Sequence, residues 1–331
     1  MVKKIKVLSV GSLKGKNQIS PFRQEQGESL RRKGIDVEYF NIKGHGIFGY
    51  LKNLPRLKYI IKTNNYDLIH GHYGLSGMLS VLQIKLPVVI TFHGSDIWIP
   101  YVRKISFIAS YLSNWNIFVS KTLQNHAKGF RKKKSIIVQC GVDLKNFFPI
   151  DKTTARKLLG MNKKDKHILF SSSFAKEIKN YPLAKKAMEH IPEANLIELE
   201  GYTKEEVNYL MNACDVLLAT SFNESGPLVV KEAMACNLPI VSTKVGDVEE
   251  VIHNTEGCYF VSYDPKDVAE KIKMALDFGK RTNGRKNVKK YEINIIAEKI
   301  DVTAFMVWLI ENYPESVKIM KENPDYQFNF K

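Results

Sequence analysis

The chain has 331 residues, 44% of them hydrophobic and 25% charged, an ordinary globular composition long enough for two hydrophobic cores. No run of eighteen apolar residues occurs, and the opening MVKKIKVLSVGSLKGK holds only a short alternating apolar segment. Neither a membrane span nor a signal peptide is expected, and a cytoplasmic location is. Net charge is +16, and residues 1–149 carry it, with 24 Lys+Arg against 7 Asp+Glu, whereas the remainder has 26 against 27. Such a one-sided basic field attracts nucleic acid, an anionic membrane surface or an anionic substrate, without choosing among them. The cysteines, Cys140, Cys214, Cys236 and Cys258, stand far apart with no Cys-x-x-Cys, which argues against a disulfide framework and a zinc site.

In the first half, short β-rich runs alternate with helix-like stretches: KIKVLSV, IDVEYFNI, YDLIHGHY, PVVITFHG, NIFVSK and SIIVQCGV. After the second run comes GHGIFG, residues 44–49, which formally matches the dinucleotide fingerprint G-x-G-x-x-G. It follows the second strand rather than the first, and Asp67, nearest the required acidic offset, begins another strand. A Gly-rich loop over an acceptor cleft is the favoured role. YLKNLPRLKYIIKTNN then reads as a basic and apolar helix begun or broken at Pro55. With RRK at 31–33 and RKKKS at 131–135 it offers contact with anionic lipid, against the alternative of solvated basic faces. Aromatic interleaving of the kind that stacks bases is sparse, so nucleic acid ranks behind lipid.

In IHGHY, His70 and His72 share one strand face. No third or fourth ligand follows at strand or helix spacing and no Asp-x-Asp occurs, so no metal is expected. TFHGSD places His93 at a strand end beside Gly94. Asp96 is close enough to orient that imidazole, or to cap the helix that follows.

The same rhythm restarts with HILFSSSF, ANLIELEG, CDVLLATS, LPIVSTKVG and GCYFVSYD, separated by helix-like segments such as KEEVNYLMNA and PKDVAEKIKMALDF. Strand, helix, parallel strand, occurring twice, is the pattern of two doubly wound α/β domains. The junction is set near GVDLKNFFPIDKTTARK, giving domains at 1–148 and 149–302. A C-terminal segment, 303–331, is too apolar across DVTAFMVWLI to stand alone and is expected to pack back across the domains. Facing strand ends would leave a ligand cleft between the domains.

FNESGPLVVKEAMACNLPIV, residues 222–241, holds Glu224 and Glu232 eight positions apart. A helix is expected from near Gly226, capped by Ser225, with Pro227 in its first turn. It should end near Cys236, with Asn237 left-handed and Pro239 preventing continuation. Amides from Ser225 through Gly226, Pro227's neighbours, Leu228 and Val229 would then meet a phosphate. Carboxylates repel phosphate, so Glu224 and Glu232 fit better as acceptors for hydroxyls on either side of it, which suggests a nucleotide sugar. The plainer alternative is a loop carboxylate and a solvated helix residue.

Residues 221–252, SFNESGPLVVKEAMACNLPIVSTKVGDVEEVI, resemble the Glu-x7-Glu signature of the retaining GT4 glycosyltransferases, which have the two-domain GT-B fold. TFHGSD, FVSKTL at 118–123 and CGVDLKNFFP at 140–149 agree in order and spacing, over about 300 residues in all. The resemblance implies that Glu232 holds the donor ribose and Glu224 hydroxyls of the transferred sugar. It implies further that residues 225–229 bind donor phosphate or sugar, and that His93 contacts the sugar or leaving group. The family also has an Arg and a Lys after the first strand of the second domain. In SSSFAKEIKNYP, Lys179 fits the lysine and no arginine precedes it, so Ser173 or Lys176 would have to cover the missing charge.

The expectation is therefore a retaining, metal-independent and cofactor-free hexosyltransferase of polysaccharide or glycolipid synthesis. Its partners would be a UDP- or GDP-sugar, a glycan or lipid-linked acceptor, and an anionic membrane surface on which it sits peripherally. The rivals are a nucleotide-sugar epimerase or hydrolase of the same fold, a non-catalytic glycan- or membrane-binding protein with a decayed donor site, and a dinucleotide oxidoreductase resting on GHGIFG.

Overall fold

The computed structural model of the chain describes residues 5–14, 18–281, 302–323, 326, 329 and 330. The chain divides into two compact units, residues 1–139 with 300–331, and residues 140–299.

In the first unit seven strands form one sheet: β1 (Lys6–Lys14), β2 (Gln18–Ile19), β3 (Asp36–Ile42), β4 (Leu68–His72), β5 (Val88–Phe92), β6 (Trp115–Phe118) and β7 (Ser135–Ile137). Their order is β3-β1-β4-β5-β6-β7, all parallel. The two-residue β2, which no apolar run announces, folds back antiparallel on the end of β1, pairing Leu13 with Ile19. β4 and β5 are buried along their whole length, as parallel strands covered on both faces must be, and this is why they read as continuous apolar runs.

The apolar C-terminal segment is the helix Val302–Glu311. Its Phe305, Met306, Leu309 and Ile310 are buried in one cluster with Val7, Leu30, Val37, Trp115 and Ile136 of the first unit. Each such side chain contributes about 1.5–3 kcal/mol. The 44–49 run is not an open loop: Gly46–Leu51 is helical, and Gly44 and Gly49 touch backbone to backbone, a Cβ on Gly49 falling 2.9 Å from the Gly44 carbonyl carbon. The stretch after it is a second helix, Leu54–Thr63, started at Pro55.

In the second unit five strands, β8 (Lys166–Phe170), β9 (Ala194–Ile197), β10 (Val216–Ala219), β11 (Ile240–Thr243) and β12 (Cys258–Val261), form a wholly parallel sheet. The order is β12-β11-β10-β8-β9. The connection after β8 runs outward to β9 and the next returns to β10 on the other side. The strand order thus reverses between β8 and β10, and open α/β sheets take ligands in the crevice beyond the strand ends at that point. The helix Lys204–Ala213 that delivers the chain to β10 opens with a capping box: Thr203 and Glu206 satisfy each other's backbone amides. Among the described residues no helix is long and apolar enough to cross a membrane.

Candidate active site

At the β8/β10 reversal the two loops are stitched together. After β8 the chain makes a short 3-10 turn, Glu177–Lys179, and Asn180, left-handed at φ 55°, turns it into the helix Tyr181–Met188. After β10 the Thr220 hydroxyl lies 3.0 Å from the carbonyl oxygens of both Lys179 and Asn180. The Phe222 amide donates to the Ile178 carbonyl at 2.9 Å. These backbone ties leave the Lys179 side chain to reach across, and its Nζ donates to Glu224 Oε1. The Ser221 hydroxyl donates to the same oxygen at 2.9 Å. Both partners are mostly buried, with 16% and 18% of their side chains exposed.

Glu224, Ser225 and Gly226 are held by a third loop, the one after β11. Gly246, at φ 61°, lies so close that a Cβ there would sit 3.0 Å from the carbonyl oxygens of Glu224 and Ser225, so only glycine fits both the conformation and the gap. A Cβ on Gly226 would in turn be 3.3 Å from Asp247 Oδ2. That oxygen accepts from Lys231 Nζ at 2.6 Å, in an ion pair with 7% and 0% of the side chains exposed, while Asp247 Oδ1 is buried without a hydrogen bond.

This packing shifts the helix start. The helix runs Leu228–Ala235 with Pro227 as its N-cap residue and no side-chain cap. Ser225 therefore does not cap it, because residues 224–226 are pinned as loop against Gly246 and Asp247. The helix end is as expected: Asn237 is left-handed at φ 58°. The amides of Leu228 and Val229 open the first turn and have no intrahelical acceptor, whereas Val230 already bonds to the Pro227 carbonyl at 3.2 Å. Glu232 lies in the second turn, half-buried. The structure thus gathers Lys179, Glu224, Ser225 and Gly226 directly and sets Pro227, Leu228, Val229 and Glu232 on the adjoining turns. Of the two residues expected to replace the missing arginine, Ser173 donates to Glu198 Oε1 at 3.0 Å and Lys176 Nζ lies 3.3 Å from Ser172 Oγ.

In the first unit a second cluster occupies the ends of β1, β4 and β5. His70 Nε2 is 2.7 Å from Thr91 Oγ1, and His72 Nδ1 is 3.3 Å from His93 Nε2. The His70 and His72 rings lie 4.1 Å apart, and Phe22 meets the His93 ring edge-on at 4.8 Å. Burial is the main cause that pushes His70 down to about 3, with His93 and Arg23 adding to it. It depresses His72 well below the usual imidazole range in the same way. The Asp96 carboxylate accepts the backbone amides of His93 at 3.1 Å and Gly94 at 2.7 Å, fixing the loop that carries the ring. Fully buried, it is raised to about 6. Among the described residues no group of three or more His, Cys, Asp or Glu is placed to hold a metal ion.

Three residues at these sites are not legible in the sequence. Arg23 reads as a surface helix residue, yet it is 3% exposed and donates to the Ser9 carbonyl at 2.9 Å, with Gly11 leaving room for its guanidinium. Lys231 and Asp247 each read as solvated charges. The one available signal was Gly246 in KVGDVEE, a glycine ahead of a helix beginning.

Comparison with known proteins places the chain in a family. The family described as Glycosyltransferase Family 4 matches residues 19–146, and that described as Glycosyl transferases group 1 matches residues 174–277. An uncharacterized glycosyltransferase of Methanocaldococcus jannaschii is 29% identical over 266 residues, covering 71% of this chain and 75% of that one. The N,N'-diacetylbacillosaminyl-diphospho-undecaprenol alpha-1,3-N-acetylgalactosaminyltransferase of Campylobacter jejuni is 26% identical, covering 84% and 87%. Among solved structures, Anabaena HepE in complex with UDP and glucose superposes with a TM-score of 0.73 at 16% identity, covering 93% of this chain and all of that one. The chain belongs to the group 1, or GT4, glycosyltransferase family and has the GT-B fold.

Proposed function

We propose that the protein is a retaining glycosyltransferase that moves a hexose-type sugar from a nucleoside diphosphate to a hydroxyl of a glycan or lipid-linked acceptor, without a metal. The observation that supports this most is the meeting of Lys179 with Glu224 at the strand-order reversal, beside the first turn of the Leu228–Ala235 helix. A diphosphate against the Leu228 and Val229 amides gains from the helix N-terminus. Lys179 meets its departing charge, Glu232 accepts from the ribose hydroxyls, and Glu224 accepts from the sugar. His93 is assigned to the sugar or leaving group. The acceptor oxygen bonds to the anomeric carbon as the bond from that carbon to the diphosphate oxygen breaks. The bonding pair leaves with the diphosphate, and the acceptor proton passes to it.

Two comparisons favour the donor and acceptor classes. The Anabaena neighbour binds UDP and glucose, and the Campylobacter relative acts on a diphospho-undecaprenol. A cell-surface glycan made on a lipid carrier at the inner face of the membrane is the corresponding setting. The test is incubation with UDP-, GDP- and ADP-sugars, with and without lipid extract. Turnover that requires the extract and yields a glycosylated lipid supports the proposal. Equal turnover without any acceptor would make the protein a hydrolase or epimerase instead.

A further inference from the structure

The helix Pro100–Leu112 in the first unit is amphipathic in the reverse sense. Its buried face carries Val102, Ser106, Ala109 and Ser110, small residues that pack closely on the helix Gly74–Val81. At Gly74 even a Cβ would collide with Ser106 Oγ, at 1.7 Å. Its large apolar side chains point outward instead: Tyr101, Phe107, Ile108, Tyr111 and Leu112 are between 38% and 57% exposed. Phe107, Ile108, Tyr111 and Leu112 recur at three- and four-residue intervals and Tyr101 stands seven before Ile108, two turns away, so they form one stripe. An apolar stripe left in water across a whole helix marks an interaction surface.

The loop that flanks this stripe is cationic and is fixed to it. The Tyr111 hydroxyl donates to the Gly129 carbonyl at 3.0 Å, and Arg131 Nη1 donates to the Tyr111 carbonyl at 2.9 Å. Phe107 packs edge-on against Phe130 at 5.7 Å. This sets Lys128, Lys132 and Lys133, all exposed, beside the apolar side chains, with Lys104 on the stripe itself. From residue 68 to 142 the chain has nine Lys and Arg and one acidic residue, Asp96, which is fully buried.

From this juxtaposition we infer that the outward face of Pro100–Leu112 and the Lys128–Lys133 loop together form a docking surface for an anionic lipid bilayer. The apolar side chains enter the headgroup boundary and the lysines meet lipid phosphates. A second copy of the chain fits less well, since two such faces would set lysines against lysines. Aliphatic Ile108 and Leu112 suit acyl chains, not bases. The inference draws on the proposed function only in taking a membrane as the setting.

The test is sedimentation of the full chain with vesicles of phosphatidylglycerol mixed with phosphatidylcholine, and with vesicles of phosphatidylcholine alone, in the absence of any sugar donor. Binding to the mixed vesicles and not to the neutral ones is expected. Ile108→Ser with Leu112→Ser should weaken it at least about tenfold, and Lys132→Glu with Lys133→Glu at least about twentyfold. All four side chains are solvent-facing, so an unchanged thermal midpoint should accompany both variants. Absence of binding, equal binding to neutral vesicles, or binding untouched in both variants would overturn the inference. So would a dimer in solution that the Ile108→Ser and Leu112→Ser pair dissolves. No sugar is turned over in this assay, so its failure leaves the transferase proposal standing, and the converse holds.

Discussion

Lys179 Nζ donates to Glu224 Oε1, joining two residues 45 positions apart in the chain at the point where the second sheet reverses its strand order. The contact places a cation and an acceptor side by side before any donor arrives. Under the proposed function, a sugar hydroxyl donating to Glu224 would compete for the oxygen Lys179 holds and free the ammonium for the diphosphate. Glu224→Ala should therefore lower turnover by about a hundredfold or more while changing nucleotide affinity far less. Steady-state rates compared with calorimetric titration by UDP check this, and an unchanged rate would mean the role is misassigned. Lys179→Ala should cost about 10²–10³ in kcat/KM.

Glu232 sits one turn further along the helix than Leu228 and Val229. Glu232→Ala should weaken UDP binding by about 1.5–3 kcal/mol, the contribution of hydrogen bonds to a charged group, and leave turnover at saturating donor nearly intact. Titration of the variant with UDP separates this from the Glu224 effect.

The buried pair Lys231–Asp247 stands against the loop at Gly226. Lys231→Met strands Asp247 in the core and should destabilise the fold by about 3–5 kcal/mol, as removal of one partner of a buried pair does. Asp247→Leu added to it should restore most of the loss, since a well-packed apolar pair can replace a buried ionic one. Urea midpoints of the two variants decide it.

The histidine cluster makes stability depend on pH. His70 lies at about 3 against an ordinary 6.5, and His72 is depressed in the same direction. A folded-state value below the unfolded one gives stability that is full above about 6.5 and lost as pH falls. Asp96 opposes them: raised from 3.8 to about 6, its contribution is present below 3.8 and lost as pH rises through 6. As pH falls from about 6, the His70 loss and the Asp96 gain oppose each other and the His72 loss tips the balance, so stability should fall. His72→Gln should flatten that slope, which denaturant midpoints across the range would read directly. A slope unchanged in the variant would remove His72 from the balance.

Among the described residues eleven of the twelve strands were legible: central parallel strands covered on both faces are apolar throughout, as ILF in β8 and VLLA in β10 are, and the edge strand β3 alternates, as DVEYFNI does. Gln18–Ile19 was not, since two residues that merely fold back on β1 carry no pattern. The helix holding Glu232 was legible at its end, where Asn237 and Pro239 leave one conformation open. Its start was misplaced because the pull of Gly246 and Asp247 on residues 224–226 comes from 20 residues away. Lys231 and Arg23 were hidden for the same reason: charge in a sequence reads as solvated, and only tertiary partners, Asp247 for the one and the Ser9 carbonyl for the other, make burial tolerable. The contact between Lys179 and Glu224 likewise exists only once β8 and β10 lie side by side.

A structure determined with UDP bound most directly tests where the donor sits. The diphosphate should lie within hydrogen-bond reach of the Leu228 and Val229 amides, with the ribose hydroxyls on Glu232 and Lys179 turned from Glu224 toward phosphate. A nucleotide bound away from that helix, or a Glu232 carboxylate pointing into solvent while UDP is in place, would contradict it.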